Sequence, residues 1–119
     1  MGTIRNEMTM IHHWNKDKLE KLREDAIEML KQIAKQDLRV EESIVSMISP
    51  IMDTYINQEY TFIINGDCSK IGWGMSERFH DARMKWCEKH KHDALNIVVI
   101  NFGEGDKPCR IVFDSTIEK

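Results

Sequence analysis

The chain carries no long hydrophobic run, no internal repeat, no low-complexity tract and no excess of positive charge. Without about 20 consecutive apolar residues no segment qualifies as a membrane helix. A net charge of −3 argues against a protein that coats DNA, because such surfaces are strongly basic. The opening residues MGTIRNEMTM lack a signal-peptide core, and Asn6 stands where a myristoylation signal wants Ser or Thr. Cysteine is scarce: Cys68, Cys87 and Cys109 are odd in number, widely spaced and free of any CxxC pairing, as expected of reduced thiols in a cytoplasm. Also missing are GxSxG, HExxH and the nucleotide-binding P-loop, so the expectation is a binding protein and not an enzyme.

What is present describes one ordinary globular domain over residues 1–119, with 41% hydrophobic and 31% charged residues. Residues 1–13 read as a frayed lead-in, with His12 and His13 solvated. From Trp14 the pattern turns helical, with a weak capping signal in Asp17 and Glu20. Leu19, Leu22, Ala26, Met29, Leu30 and Ile33 recur at steps of three and four, one stripe along a long helix. A second apolar period follows, from Val40 through Ile44, Val45, Ile48, Ile51, Met52 and Tyr55 to Ile56. Pro50 interrupts it, with Ser49 placed to cap a new helix start. The two stripes predict an antiparallel helical hairpin over 14–58, whose surplus apolar face needs a sheet or a second subunit.

Beyond residue 58 the period drops to two. Tyr60, Phe62 and Ile64 alternate with their neighbours, Asn65–Gly66 is a strong hairpin signal, and 67–73 is the expected return strand. A helix is expected over 76–91, capped by Ser76. Residues 94–102 form an apolar strand, and Cys109 to Asp114 closes a second hairpin. Residues 59–119 thus predict a small antiparallel sheet of two hairpins with one intervening helix. The class is α+β.

The stretch IGWGMSERFHDAR, Ile71 to Arg83, is the candidate site. Gly72 and Gly74 leave room around Trp73, and the helix start that follows offers N–H groups and partial positive charge to an anion. Trp73 and Phe79 supply aromatic faces, although aromatic residues more often serve simply as core. Arg23, Arg83 and Arg110 each lie beside apolar residues on elements expected to pack together. Each alone is explained by snorkelling, whereas together with two aromatics they suit a pocket for a flat, phosphorylated molecule.

Other constellations are weaker. Cys68 with His80 offers a thiolate pair, against a half-buried thiol and a surface histidine. Cys87, His90 and His92 are metal-ligand types, but the interleaved Lys89 and Lys91 favour a solvated helix end and no metal. The basic residues between Arg78 and Lys91 are offset by Glu77, Asp81, Glu88 and Asp93, as on a mixed-charge outer face, so no nucleic-acid polymer is expected as partner.

In length, in its leading helices before a small sheet, and in the order Arg23, Gly72–Trp73–Gly74, Phe79, Arg110, the chain resembles the first-described type of phage Thoeris anti-defence protein. The resemblance implies a non-catalytic sponge, without cofactor, that sequesters glycocyclic ADP-ribose at pockets shared between subunits. It also implies a homo-oligomer, dimer or higher, working in a host bacterial cytoplasm, with cyclic oligonucleotides held at a separate site in some members. By the same resemblance Trp73 and Phe79 sandwich the adenine, Arg110 contacts phosphate, and Arg23 serves an intersubunit or oligonucleotide pocket. Two alternatives remain open. One is a small oligomeric inhibitor that masks a host protein with its helical face, and the other is a nucleotide-cleaving enzyme using His80 and Asp81.

Overall fold

A computed structural model describes residues 6–36, 42–66, 74–102 and 108–118. It is an α+β protein built on a five-stranded antiparallel sheet in the order β2-β3-β1-β4-β5. The strands are β1 (Glu7–His13), β2 (Met52–Asp53), β3 (Tyr60–Ile64), β4 (Asn96–Asn101) and β5 (Arg110–Asp114). Two helices, α1 (Lys16–Gln36) and α2 (Gly74–His90), pack on one face, and a short α3 (Ser115–Glu118) follows β5.

The segment expected to fray is the central strand. β1 pairs with β3 from Thr9↔Ile64 to His13↔Tyr60, and with β4 from Glu7↔Asn101 to His12↔Asn96. Its inward residues are Glu7, Thr9, Ile11 and His13, all buried. With polar residues at three of these four inward positions, period-two hydrophobicity gives no sign of the strand.

Helix α1 matches its stripe: Leu19, Leu22, Ala26, Leu30 and Ile33 are buried against Ile11, Phe62 and Ile64. Each large side chain so buried is worth about 1.5–3 kcal/mol. The cap is Asn15, whose Oδ1 accepts the Lys18 N–H at 3.1 Å. Asp17, favoured by the capping-box pattern, lies two residues too late and sits inside the helix.

The second arm of the helical hairpin is one short 3₁₀ segment, Glu42–Met47. Beyond it the chain joins the sheet. Ser49 N–H donates to the Ile63 carbonyl and the Ile63 N–H to Ser49 Oγ, both at 2.8 Å, while Asn65 N–H donates to the Met47 carbonyl. Ser49 therefore extends an edge and caps no helix. β-Branched residues such as Ile48 and Ile51 favour that extended alternative, and Pro50 cannot continue a helix through this point. Residues 47–53 on one side and β1 on the other occupy both edges of β3. The expected return strand at 67–73 lies outside the described residues.

Gly66 is a close-approach residue. A Cβ there would stand 2.5 Å from Asn6 Oδ1, 2.7 Å from Glu7 N and 3.0 Å from the Glu7 carbonyl oxygen. Gly74, at the start of α2, would meet nothing within 4 Å. The helix begins there and not at Ser76, which is buried inside its first turn.

β4 and β5 form the second predicted hairpin, with a register shift between Val99 and Ile100. Ile97 and Val99 point into the core, while Val98 and Ile100 are only half-buried on the opposite face beside Met8, Met10 and Ile63. The surplus apolar surface thus lies on the outer face of the sheet, where the sequence placed it on a second helix. No helix among the described residues is long and apolar enough to cross a membrane.

Candidate functional site

Phe79, Arg83, Trp86, Cys87 and His90 recur along α2 at helical spacing and form its inward face. Three of them are apolar, as a core face requires, while Arg83 and His90 import charge and hydrogen-bonding capacity. The polar members meet partners at the two ends of β1.

At the first end stands Glu7. Its Oε1 accepts from Arg83 Nη2 and lies 2.7 Å from His80 Nδ1, and its carbonyl accepts from Arg83 Nη1 at 3.3 Å. The side chains of Arg83 and Glu7 are 1% and 4% exposed, that of His80 28%. Nδ1 carries the His80 proton when the ring donates to the carboxylate, so the 3.3 Å approach of Arg83 Nη2 to that nitrogen joins two donors sharing one acceptor. The Arg83 guanidinium also lies over the Phe79 ring, 5.2 Å from its centroid. Nearby on β1, Thr9 Oγ1 is buried with no hydrogen-bond partner among the described residues.

Phe79 is 1% exposed, a core residue with no face to offer a base in the single chain. Arg83 is committed to Glu7 and is a buried pair member, not a ligand contact. Arg110 is exposed on β5, opposite Asn101, which in turn lies opposite Glu7. Arg23 stands apart: its Nε donates to the Ser49 carbonyl at 2.8 Å, in a cleft of ≈ 360 Å³ shared with Glu20, Glu24, Pro50 and Ile51. Trp73 and Gly72 lie outside the described residues, as do Asp67 and Cys68. No family model matches the chain, and neither a curated protein nor a solved structure is significantly similar to it.

At the other end α2 meets α1. Asp25 Oδ2 accepts the Trp86 Nε1–H at 2.9 Å and lies 2.7 Å from His90 Nε2, while Asp93 Oδ2 lies 2.8 Å from His90 Nδ1. Both ring nitrogens of His90 therefore face carboxylate oxygens inside the fold. His90 is 8% exposed, so the solvated helix end expected from the sequence is instead a buried polar clasp between α1, α2 and the turn after it. Among the described residues no group of three ligating side chains converges on a point that could hold a metal. The sequence missed this end because Asp25 and His90 are 65 positions apart and each taken alone looks solvent-exposed.

The thiols give a direct check on this packing. Burial pushes the Cys87 thiol up from an ordinary 9.0 to about 12; Arg83 pulls it down, and Glu7 and Glu88 add to the rise. Cys109 is exposed. In a Cys68→Ser background, a thiol reagent is expected to label Cys109 promptly in the native protein and Cys87 only on unfolding. The unfolded chain releases the Cys87 proton at lower pH than the folded one. The associated stability is therefore complete below pH 9 and lost as pH rises toward 12. Cys87→Ala should flatten that part of the stability profile. Equal labelling rates for the two thiols would contradict the placement of α2.

Proposed function

We propose that the chain is a non-catalytic binding protein that captures a small anionic nucleotide signal of the glycocyclic ADP-ribose type and so suppresses bacterial anti-phage defence. The observation that supports this reading most directly is the row Glu7–Asn101–Arg110 across three adjacent strands. It sets the backbone of the exposed Arg110 two strand spacings, about 10 Å, from that of Glu7, whose buried carboxylate orients His80. Cationic and hydrogen-bonding groups from β5 and α2 thus share one end of the sheet, as phosphate capture requires. Phe79 and Arg83 act beneath this surface, holding Glu7 and through it His80. Trp73, immediately before α2, is the stacking residue of the proposal, and Arg23 belongs to a separate pocket. Copies of the chain associate through the half-buried apolar face of the sheet.

Titration calorimetry with glycocyclic ADP-ribose tests the reading. Saturable heat is expected, abolished by Arg110→Ala and weakened about tenfold or more by Trp73→Ala, since a stacked base contributes about 1–3 kcal/mol. Mass spectrometry of the heated complex should return the nucleotide intact. No heat with this ligand or its cyclic isomers would remove the proposal, and cleaved nucleotide would favour an enzyme built on His80. Light scattering of the same sample should give a dimer or larger assembly, and a monomer would remove the association through the sheet face.

A further inference from the structure

The junction of α1 and α2 encloses a cleft of ≈ 440 Å³, remote in the fold from Arg110 and within the size range of small-molecule pockets. Its walls carry His13, Lys18, Lys21, Asp25, His90 and Asp93 around an apolar floor at Leu22. The acids are already engaged: Asp25 Oδ2 serves Trp86 and His90, and Asp93 Oδ2 faces the other nitrogen of His90. The lysines are not. Among the described residues neither Lys18 nor Lys21 has a carboxylate within salt-bridge distance, whereas Lys31 pairs with Glu28 and Lys91 with Glu88.

His13 lines the same cleft. The Asn15 N–H donates to its Nδ1 at 2.9 Å, which places the ring proton on Nε2. Trp14, 59% exposed, stands beside it with ring centroids 5.4 Å apart. Lys18 lies in the first turn of the 21-residue helix α1, whose positive pole opens toward the same side. Two ammonium groups one turn apart, neither within salt-bridge distance of a carboxylate among the described residues, line a cleft whose own acids, Asp25 and Asp93, bond to Trp86 and His90.

We propose that this cleft binds a small phosphate-bearing molecule, its phosphate held between Lys18 and Lys21. This site is separate from the one at Arg110 and does not depend on the function proposed above. Inorganic pyrophosphate is the probe, with amide shifts of Lys18 and Lys21 and tryptophan fluorescence as readouts. Saturable binding is expected, weakened at least about tenfold in Lys18→Gln/Lys21→Gln and unchanged in Lys35→Gln and Arg110→Ala. Both lysines are exposed, so the double variant should keep the native circular dichroism. No saturable response at millimolar pyrophosphate would overturn the proposal. Equal weakening by Lys35→Gln would reduce it to general charge, and loss only in Arg110→Ala would assign the anion to the other end of the sheet.

Discussion

Replacing Glu7 by alanine should lower the unfolding free energy by about 3–5 kcal/mol, measured as a shift of the urea midpoint at constant slope. The reason lies in what is left behind. Arg83, 1% exposed, would keep its charge in the core with its carboxylate partner gone, and His80 would lose the acceptor at 2.7 Å that fixes its ring. Glu7→Gln keeps the shape and removes the charge, so it should cost nearly as much. The paired replacement Glu7→Leu/Arg83→Met removes both charges and should recover most of the loss, because a buried pair seldom outperforms apolar residues of similar volume. If Glu7→Gln costs less than about 1 kcal/mol, the pair is better hydrated than its burial implies.

Gly66→Ala should destabilise the chain by about 1–3 kcal/mol, the range for overpacking at a site that cannot yield. Two of the three atoms the new methyl would meet, Glu7 N and O, belong to the backbone of the central strand. That strand is hydrogen-bonded on both sides and has little room to shift. Gly74→Ala is the control: its methyl meets open space, and the loss of chain entropy in the unfolded state should make it neutral or stabilising by up to about 1 kcal/mol. Thermal melts distinguish the two directly. Equal effects would mean that β3 and β1 do not approach as closely as described. Gly66→Ala also displaces the residue that holds Arg83, so a double-mutant cycle with Glu7→Gln should be non-additive.

The sequence disclosed α1, the β4–β5 hairpin and the extent of α2 to within two residues, because each carries its period in apolar side chains that face one core. β1 was illegible for the opposite reason. Its inward positions hold the buried hydroxyl of Thr9 together with Glu7 and His13, whose partners come from α2 and from the turn after the strand. The second helical arm is shortened to Glu42–Met47 because a stripe of β-branched residues satisfies a sheet edge as readily as a helix, and only the open edge of β3 decides between them. At the candidate site, Phe79 and Arg83 were recognisable as neighbours one turn apart, but the residue that assigns their role lies 76 positions from Arg83. The lysine cleft was hidden likewise, since its charge balance follows from Asp25 and Asp93 both facing His90. The one local hint was a tryptophan ahead of the Asn15 cap, too polar a setting for core.

The placement of β1 also governs how the protein is made. The first strand to leave the ribosome is the one that must lie between β3 and β4, so its second edge stays unsatisfied until Asn96–Asn101 has emerged. Everything from Glu7 to Asn101 is therefore synthesised before the sheet can close, and the contacts that close it are far apart in sequence. Such a chain assembles late, and a nascent fragment ending before β4 presents a naked strand edge for chaperones to shield.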